Sequence, residues 1–468
     1  MEIHIDLTGT RGHRDAIYRQ LRAAILAGRI RPGEALPPTR ELAQRLAVSR
    51  TTVSAAYDRL TAEGFLAGRV GAGTFVTASP VSAEPVPDVA GVRPLPEWDA
   101  VPSPPAPFAP APEFDFRPGV PDLSLFPFDT WRRLITQRLR AGQADLMTYG
   151  DPQGHAGLRA EIARHIGVSR DVRASAAQVV VTAGAQQTTD LVARVLLRAG
   201  DFAAVEDPGY PPPRLVLGAR GVRVAPVPVD AFGIVVDAIP AGTRLVYVTP
   251  SHQYPLGLSM SLDRRLELLD WAERNDAVLV EDDYDTEFRY TGRPLEPLHS
   301  LDSRGRVVYV GSFSKVLSPA LRLGFLIAPP SLVPALVKAR YLTDWHAPNV
   351  EQAALAAFMA EGGFARHVRR MRKVYRARHE LLGRALGAFD FLTPLPSSAG
   401  LHLSAVAAAD CGPLVRAARR HGVRLYSLGD FGVGERRHGL VFGYGAVAAE
   451  RIEPGLARLR ALADEGAA

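Results

Sequence analysis

The stretch from Ser79 to Pro112, SPVSAEPVPDVAGVRPLPEWDAVPSPPAPFAPAP, carries a proline every few residues. Each proline fixes φ and removes a backbone donor, so such a stretch favours extended polyproline conformations and cannot serve as a helix interior or a central strand. It divides the chain into residues 1–78, a linker over 79–112, and residues 113–468. In 468 residues, 47% hydrophobic content is enough for a separate core on each side.

Composition removes several function classes. A single cysteine, Cys411, excludes an intramolecular disulfide framework and a cysteine-based zinc site, and reads as an inert thiol. There is no run of about eighteen apolar residues, and the opening MEIHIDLTGTRGHR lacks the apolar segment of a signal peptide. A soluble, cytoplasmic protein with no membrane partner is expected. The net charge of +6 permits a polyanionic partner without requiring one. Lysine is confined to Lys315, Lys338 and Lys373, so any lysine chemistry has three candidates.

In the first segment, Ile17, Leu21 and Ile25 recur every fourth residue, which predicts an amphipathic helix ended by Gly28 and Pro32. PTRELAQRLAVSRTTVSAAYDRLTAEGF predicts two short helices split at Val48-Ser49. Leu42 and Leu46 face inward on the first, Val53, Tyr57 and Leu60 on the second, with Thr39 and Ser49 at the N-cap positions. The second opens with Ser49, Arg50, Thr51 and Thr52, as a recognition helix entering a major groove does. Arg50 suits a guanine edge; Thr51 and Thr52 suit phosphate. FLAGRVGAGTFV then predicts a hairpin wing bearing Arg69. Affinity for double-stranded operator DNA would rest on Arg40, Arg50 and Arg69. The alternative is a small helical interaction module with solvated arginines.

In residues 113–468, valine-rich runs (QVVVTAG, TRLVYVTP, AVLVEDD, RVVYVGS) alternate with helical patterns such as RRLELLDWAERN. That alternation predicts a mostly parallel sheet covered by helices, giving a multidomain α/β protein. Lys315 stands in the serine-rich segment VGSFSKVLSPALRLGFLIAP between two apolar strands, with Arg322 on the returning strand. Asp282 and Tyr284, two apart at the end of AVLVEDDYDTEF, share one face of extended chain. VVVTAGAQQTTD places Gly184, Ala185 and Gln186 where a helix N-terminus binds phosphate.

Pyridoxal 5′-phosphate needs such a set: a lysine for the Schiff base (Lys315), an acid for the pyridine nitrogen (Asp282), a donor to O3′ (Tyr284), and a phosphate cup (Arg322, Ser312, Ser314 and the 184–186 turn). Glu281, Asp282, Asp283, Asp285 and Glu287 also leave open a divalent-cation site or a solvated strand end; no metal is expected.

The run from PPTRELA through RTTVSAAYDRL to GTFV resembles GntR-type winged helices. The C-terminal motifs, with Tyr149 in MTYGDPQGHAGLR, Tyr210 in VEDPGYPPPR and the run TPSHQYPLG, resemble the fold-type I, PLP-dependent transferases in order and spacing. Together the two units resemble the MocR/GabR regulators. The resemblance implies a head-to-tail homodimer in which Tyr149 contacts the cofactor phosphate across the interface. It also puts Tyr210 in the pocket wall and His252, Gln253 and Tyr254 along the ring's edge. Tyr254 stands where many aminotransferases have asparagine. Aminotransferases also carry a carboxylate-clamping arginine before a late apolar strand; Val441 in HGLVFGYG takes its place, leaving Arg436, Arg437 or Arg424 as substitutes. The resemblance implies a regulator sensing PLP itself, an amino acid or an amine, with PLP as effector making it a regulator of vitamin B6 supply. Its rivals are a working aminotransferase and a scaffold that only dimerises.

Overall fold

The computed structural model of the chain describes residues 5–7, 12–69, 71–77, 92–103, 112–140, 144–292, 296–434 and 437–467. The chain forms two units, Met1–Leu95 and Pro96–Ala468, each packed mainly on itself. Of the proline-rich segment, residues 79–91 and 104–111 lie outside the described residues. Pro96–Ala100 form a 3₁₀ turn rather than extended chain, started by a proline whose φ already suits a first helical position.

The N-terminal unit comprises α1 (His13–Leu26), β1 (Ala35–Leu36), α2 (Thr39–Arg45), α3 (Arg50–Ala62), β2 (Leu66–Arg69) and β3 (Gly73–Val76). The three strands pair antiparallel in the order β1, β3, β2, which makes the wing. Ile17, Leu21 and Ile25 of α1 meet Leu42 of α2 and Val53, Tyr57 and Leu60 of α3 in one core. Each aliphatic side chain among them contributes about 1.5–3 kcal/mol on burial. Ser49 caps α3, its hydroxyl accepting from the Thr52 amide at 3.1 Å. Thr39 is not a cap: it is the first helical residue, because Pro38 before it is extended (φ −53°, ψ 140°).

The C-terminal unit is built on an eight-stranded sheet. Its order is Val179–Thr182, Gly324–Ile327, Val307–Ser312, Val278–Asp283, Thr243–Val248, Phe202–Asp207, Arg223–Asp230 and Gly233–Ile234. Five neighbouring strands, Val307–Ser312 through Arg223–Asp230, run parallel, while Gly324–Ile327 runs antiparallel to both its neighbours. The strands predicted from valine runs are all present, and the helix predicted from RRLELLDWAERN spans Leu262–Arg274 with Ser261 as cap. A second, antiparallel sheet orders Thr393–Pro394, His402–Val406, Gly439–Gly443 and Tyr426–Ser427. The 24-residue helix Gly363–Leu386 buries Phe364, Met371, Tyr375, Leu382 and Leu386 in the core that carries this sheet. Cys411 is buried and free.

Candidate functional site

A cavity of about 300 Å³ opens where the central parallel strands end. In sheets wound this way, ligands bind beyond the C-terminal ends of the strands, where helix N-termini and loops converge. Its lining brings together Gly184, Ala185, Gln186, Tyr210, Tyr254, Asp282, Tyr284, Ser312, Ser314, Lys315 and Arg322. Pro118, Gly119, Ala183, Thr249 and Pro319 line it as well. Sequence reasoning missed these five. A strand end marks Thr249 and the Pro-Gly-Val-Pro turn marks Gly119, but neither signal says what they face.

Lys315 follows the strand Val307–Ser312 in a loop tied down by the Val316 carbonyl, which lies 2.8 Å from His367 Nε2. Its ammonium Nζ donates to the Gly119 carbonyl at 3.0 Å, and burial lowers its pKa below the ordinary lysine value. A lowered pKa increases the share of neutral, nucleophilic amine.

Asp282 ends the strand Val278–Asp283 and is 3% exposed. The Tyr247 hydroxyl donates to its Oδ2, whereas Oδ1 is buried without any partner among the described residues. Burial raises the carboxyl pKa to about 7, with the Tyr247 bond opposing the shift. An unpartnered buried carboxylate oxygen at a cavity wall suits a cationic N–H, the chemistry a pyridinium presents.

The neighbouring acids turn to separate partners. Glu281 accepts from the Leu298 and His299 amides at 3.0 and 2.9 Å. Asp283 takes Arg170 at 2.7 Å and the Tyr309 hydroxyl at 2.6 Å. Asp285 pairs with His252 Nδ1 at 3.1 Å and with the Leu401 amide. The alternation of extended chain sends successive acids to different sides.

At the phosphate end, Gly184 (φ 110°, ψ −172°) adopts a conformation open only to glycine and starts the helix Ala185–Leu196. The first-turn amides of a helix have no intrahelical acceptor and attract anions. Ser312 and Ser314 stand opposite, the Ser314 amide donating to Ser312 Oγ at 3.2 Å. Arg322 is exposed and sits before the returning strand rather than on it, held left-handed (φ 50°) at the end of a 3₁₀ turn. Its guanidinium has no acidic partner within salt-bridge distance among the described residues.

Tyr254 packs edge-on against Tyr210 and Tyr284, with ring centroids 5.6 and 6.0 Å apart. The Tyr284 hydroxyl donates to the His252 carbonyl at 2.9 Å. His252 and Gln253, expected along the ring's edge, lie behind the wall instead. His252 is held by Asp285, and Gln253 Nε2 donates to the Pro208 and Tyr254 carbonyls. The turn after Val248 folds these two polar side chains inward, where they satisfy buried partners. Tyr149 is 73% exposed, stacks on Trp345 at 4.4 Å and does not line its own chain's cavity.

Val441, at the place of the clamping arginine, is fully buried among Val229, Leu256 and Leu428. Arg437 donates to the Val229 carbonyl, Arg424 lies in a strand beside Phe114–Asp115, and Arg436 is outside the described residues. Among the described residues, Lys315 and Arg322 are the only cationic side chains lining the cavity.

On the N-terminal unit, Arg40, Ser49, Arg50, Thr51 and Arg69 are exposed. Thr52 is partly buried, and its hydroxyl is turned back to Ser49 Oγ at 2.7 Å. Arg50 Nε donates to Thr39 Oγ1 at 3.4 Å, and Arg69 lies over the Phe75 ring at 4.9 Å.

The fold and cavity define an aminotransferase-type domain carried in one chain with a winged helix. Residues 119–436 match the family "aminotransferase class I and II", and residues 13–76 match "bacterial regulatory proteins, gntR family". The chain is 38% identical over 456 residues to the probable rhizopine catabolism regulatory protein MocR of Rhizobium meliloti, covering 95% of this chain and 92% of the relative. It is 34% identical over 434 residues to the HTH-type pyridoxine biosynthesis transcriptional regulator PdxR of Corynebacterium glutamicum, covering 92% and 91%. Among solved structures, LysN, an α-aminoadipate aminotransferase from Thermus thermophilus complexed with N-(5′-phosphopyridoxyl)-L-leucine, superposes with a TM-score of 0.69 at 30% identity, covering 75% of this chain and 92% of that one. The chain belongs to the MocR-type transcriptional regulators, in which a GntR-family helix-turn-helix unit is joined to an aminotransferase class I and II domain. No helix among the described residues is long and apolar enough to cross a membrane.

Proposed function

We propose that this regulator holds pyridoxal 5′-phosphate in the cavity around Lys315 and reads a small molecule there, changing its affinity for operator DNA. The observation that carries this reading is the convergence of Lys315, the orphaned oxygen of Asp282 and the helix N-terminus at Gly184 on one cavity. When bound, the cofactor supplies an electrophilic carbonyl that exchanges one amine for another. Lys315 would anchor it, Asp282 would hold the proton on its ring nitrogen, and Tyr284 would donate to its ring oxygen once its hydroxyl turns from the His252 carbonyl. Arg322, Ser312, Ser314 and the amides of Ala185 and Gln186 would take its phosphate, with Tyr210 and Tyr254 in the cavity wall.

With Lys315 and Arg322 so engaged, no lining cation among the described residues is left for a ligand carboxylate. That favours PLP itself as the effector, in line with a relative named for pyridoxine biosynthesis. An amino acid or amine docking through another group is the alternative effector. A homodimer arranged head to tail would bring Tyr149 to its partner's cofactor, and two winged units would present Arg40, Arg50 and Arg69 to paired half-sites in the cytoplasm.

Binding the effector and binding DNA are coupled reciprocally if each prefers the same conformational state. The test is operator affinity titrated with pyridoxal 5′-phosphate in wild type and Lys315→Ala. Dependence on the lysine supports the reading; identical DNA affinity at all cofactor concentrations rejects it. If an amino acid shifts DNA affinity at saturating cofactor, PLP is not the sole effector. A working aminotransferase, favoured by the likeness to LysN, would instead release keto acid over many turnovers.

A further inference from the structure

Behind Tyr284, and outside the lining of the cavity, stands a buried polar pair: His252 and Asp285 are 2% and 1% exposed. The imidazole Nδ1 lies 3.1 and 3.2 Å from the two Asp285 carboxylate oxygens and 3.1 Å from the Tyr284 hydroxyl, which donates to the His252 carbonyl at 2.9 Å. A ring nitrogen that faces a carboxylate carries the proton, so Nδ1–H is the donor here. The other ring nitrogen lies 3.2 Å from Ser397 Oγ, and the Leu401 amide donates to Asp285 at 3.1 Å.

Two features set this pair apart from an ordinary buried ion pair. A hydroxyl has one proton and two lone pairs, so the Tyr284 oxygen accepts from Nδ1–H and can go on doing so when its own proton turns to another acceptor. The backbone also presses the pair together: a Cβ built on Gly400 (φ 84°) would overlap both His252 and Asp285. The Tyr290 and Tyr444 hydroxyls hold Gly400 there, donating to its carbonyl at 2.7 and 2.6 Å.

The geometry points to His252 and Asp285 as positioning residues that act on the bound cofactor through Tyr284. With the hydroxyl turned to the cofactor's ring oxygen, Asp285, His252 and Tyr284 form one hydrogen-bonded chain, and bonds in such a chain strengthen one another by about 10–30% each. This inference rests on the reading of the cavity as a pyridoxal 5′-phosphate site. A donor on the ring oxygen stabilises the state in which that oxygen holds its charge alone, the neighbouring nitrogen supplied by Lys315 having lost its proton. The chain therefore lowers the pH at which that nitrogen deprotonates.

Other titratable groups face the chain. His402, with its ring centroid 4.7 Å from His252, and His379 of the helix Gly363–Leu386 both have pKa values lowered by burial and stay neutral above pH 7. Tyr254, Asp282 and Glu206 face Tyr284, whose own pKa burial raises well above the ordinary value, so its hydroxyl keeps its proton. Asp282 and Glu206 titrate near pH 7, but they are common to wild type and variants, so the comparison of midpoints removes them.

The experiment titrates full-length protein, saturated with pyridoxal 5′-phosphate, across pH and reads the midpoint of the absorbance change of lysine-bound cofactor. Tyr284→Phe should raise the midpoint by about 1–2 pH units, the worth of one hydrogen bond to a charged acceptor. His252→Gln, which keeps the reach to Ser397 but loses the Nδ1 donor, and Asp285→Asn should each raise it by about 0.2–0.5 unit. His252→Asn puts an amide nitrogen where Nδ1 stands and should restore the wild-type midpoint, although it fills less of the site. Adding His252→Gln to Tyr284→Phe should shift nothing further, because the chain acts through the hydroxyl. In apoprotein, imidazole nitrogen NMR shifts assigned by loss in His252→Gln should show the proton on Nδ1. Circular dichroism identifies misfolded variants; if His252→Gln fails to fold, His252→Asn and Asp285→Asn carry the comparison. Additive midpoints in the double variant, an asparagine variant no better than glutamine, or a bare Nδ1 overturn the proposal. A wild type without a lysine-dependent band overturns the cofactor reading and this inference with it, whereas a normal band whose midpoint ignores His252 and Asp285 overturns this inference alone.

Discussion

Lys315 Nζ lies 3.0 Å from the carbonyl oxygen of Gly119, a residue 196 positions earlier, and a Cβ built on Gly119 would sit 2.9 Å from the same nitrogen. The backbone at Gly119 is left-handed (φ 76°), so a side chain is disfavoured both by conformation and by the amine beside it. Gly119→Ala is expected to cost about 1 kcal/mol of stability from backbone strain and to weaken cofactor retention further by displacing the amine. Thermal melts of apoprotein, paired with cofactor titration by absorbance, separate the two effects. Lys315→Ala should abolish the absorbance band of lysine-bound cofactor and leave the apoprotein melt nearly unchanged.

Asp282 makes apoprotein stability depend on pH. Its folded-state pKa of about 7 lies above the ordinary 3.8, so between these values the folded protein holds a proton that the unfolded chain has lost. Stability therefore falls as pH rises through that window, because ionising the buried carboxyl without a cationic partner costs free energy. Asp282→Asn should raise apoprotein stability at pH 8 by about 1–3 kcal/mol and have little effect at pH 4. It should also weaken cofactor binding at pH 8. A variant no more stable than wild type at pH 8 would count against the assignment.

Ser49 and Arg50 are adjacent but serve different ends. Ser49→Ala removes the cap of α3 and should cost about 1 kcal/mol in thermal or urea unfolding. Arg50→Ala leaves the core untouched and should leave the melt in place while weakening operator binding by about 1–3 kcal/mol at one base position. Equal losses of stability in both variants would contradict this division.

Tyr149 tests the dimer. It lies outside its own cavity, so Tyr149→Ala should lower cofactor affinity only if the partner subunit supplies that ring. Mixing Lys315→Ala protein with Tyr149→Ala protein should then restore cofactor binding in at most half of the sites of a mixed dimer. No loss of affinity in Tyr149→Ala would leave the residue a surface aromatic stacked on Trp345.

The amino-acid pattern determined the parts whose signal is local. Four-residue spacing of Ile17, Leu21 and Ile25 specified α1, the polar run at Ser49 specified the start of α3, and valine-rich runs specified the central strands, since helix and strand periods differ along the chain itself. The chemistry of Lys315 and Asp282 was legible for the same reason: few residue types perform it, and lysine is scarce in this chain. Tertiary structure decided what depends on distant partners. It placed Gly119 against Lys315 and Thr249 in the wall, and it turned His252 and Gln253 away from the cavity toward buried acceptors. It also left Asp282 Oδ1 without a partner among the described residues. Hydrogen-bond satisfaction in a buried site is settled by groups far apart in sequence that meet only when the sheet is assembled, and no periodicity along the chain records it.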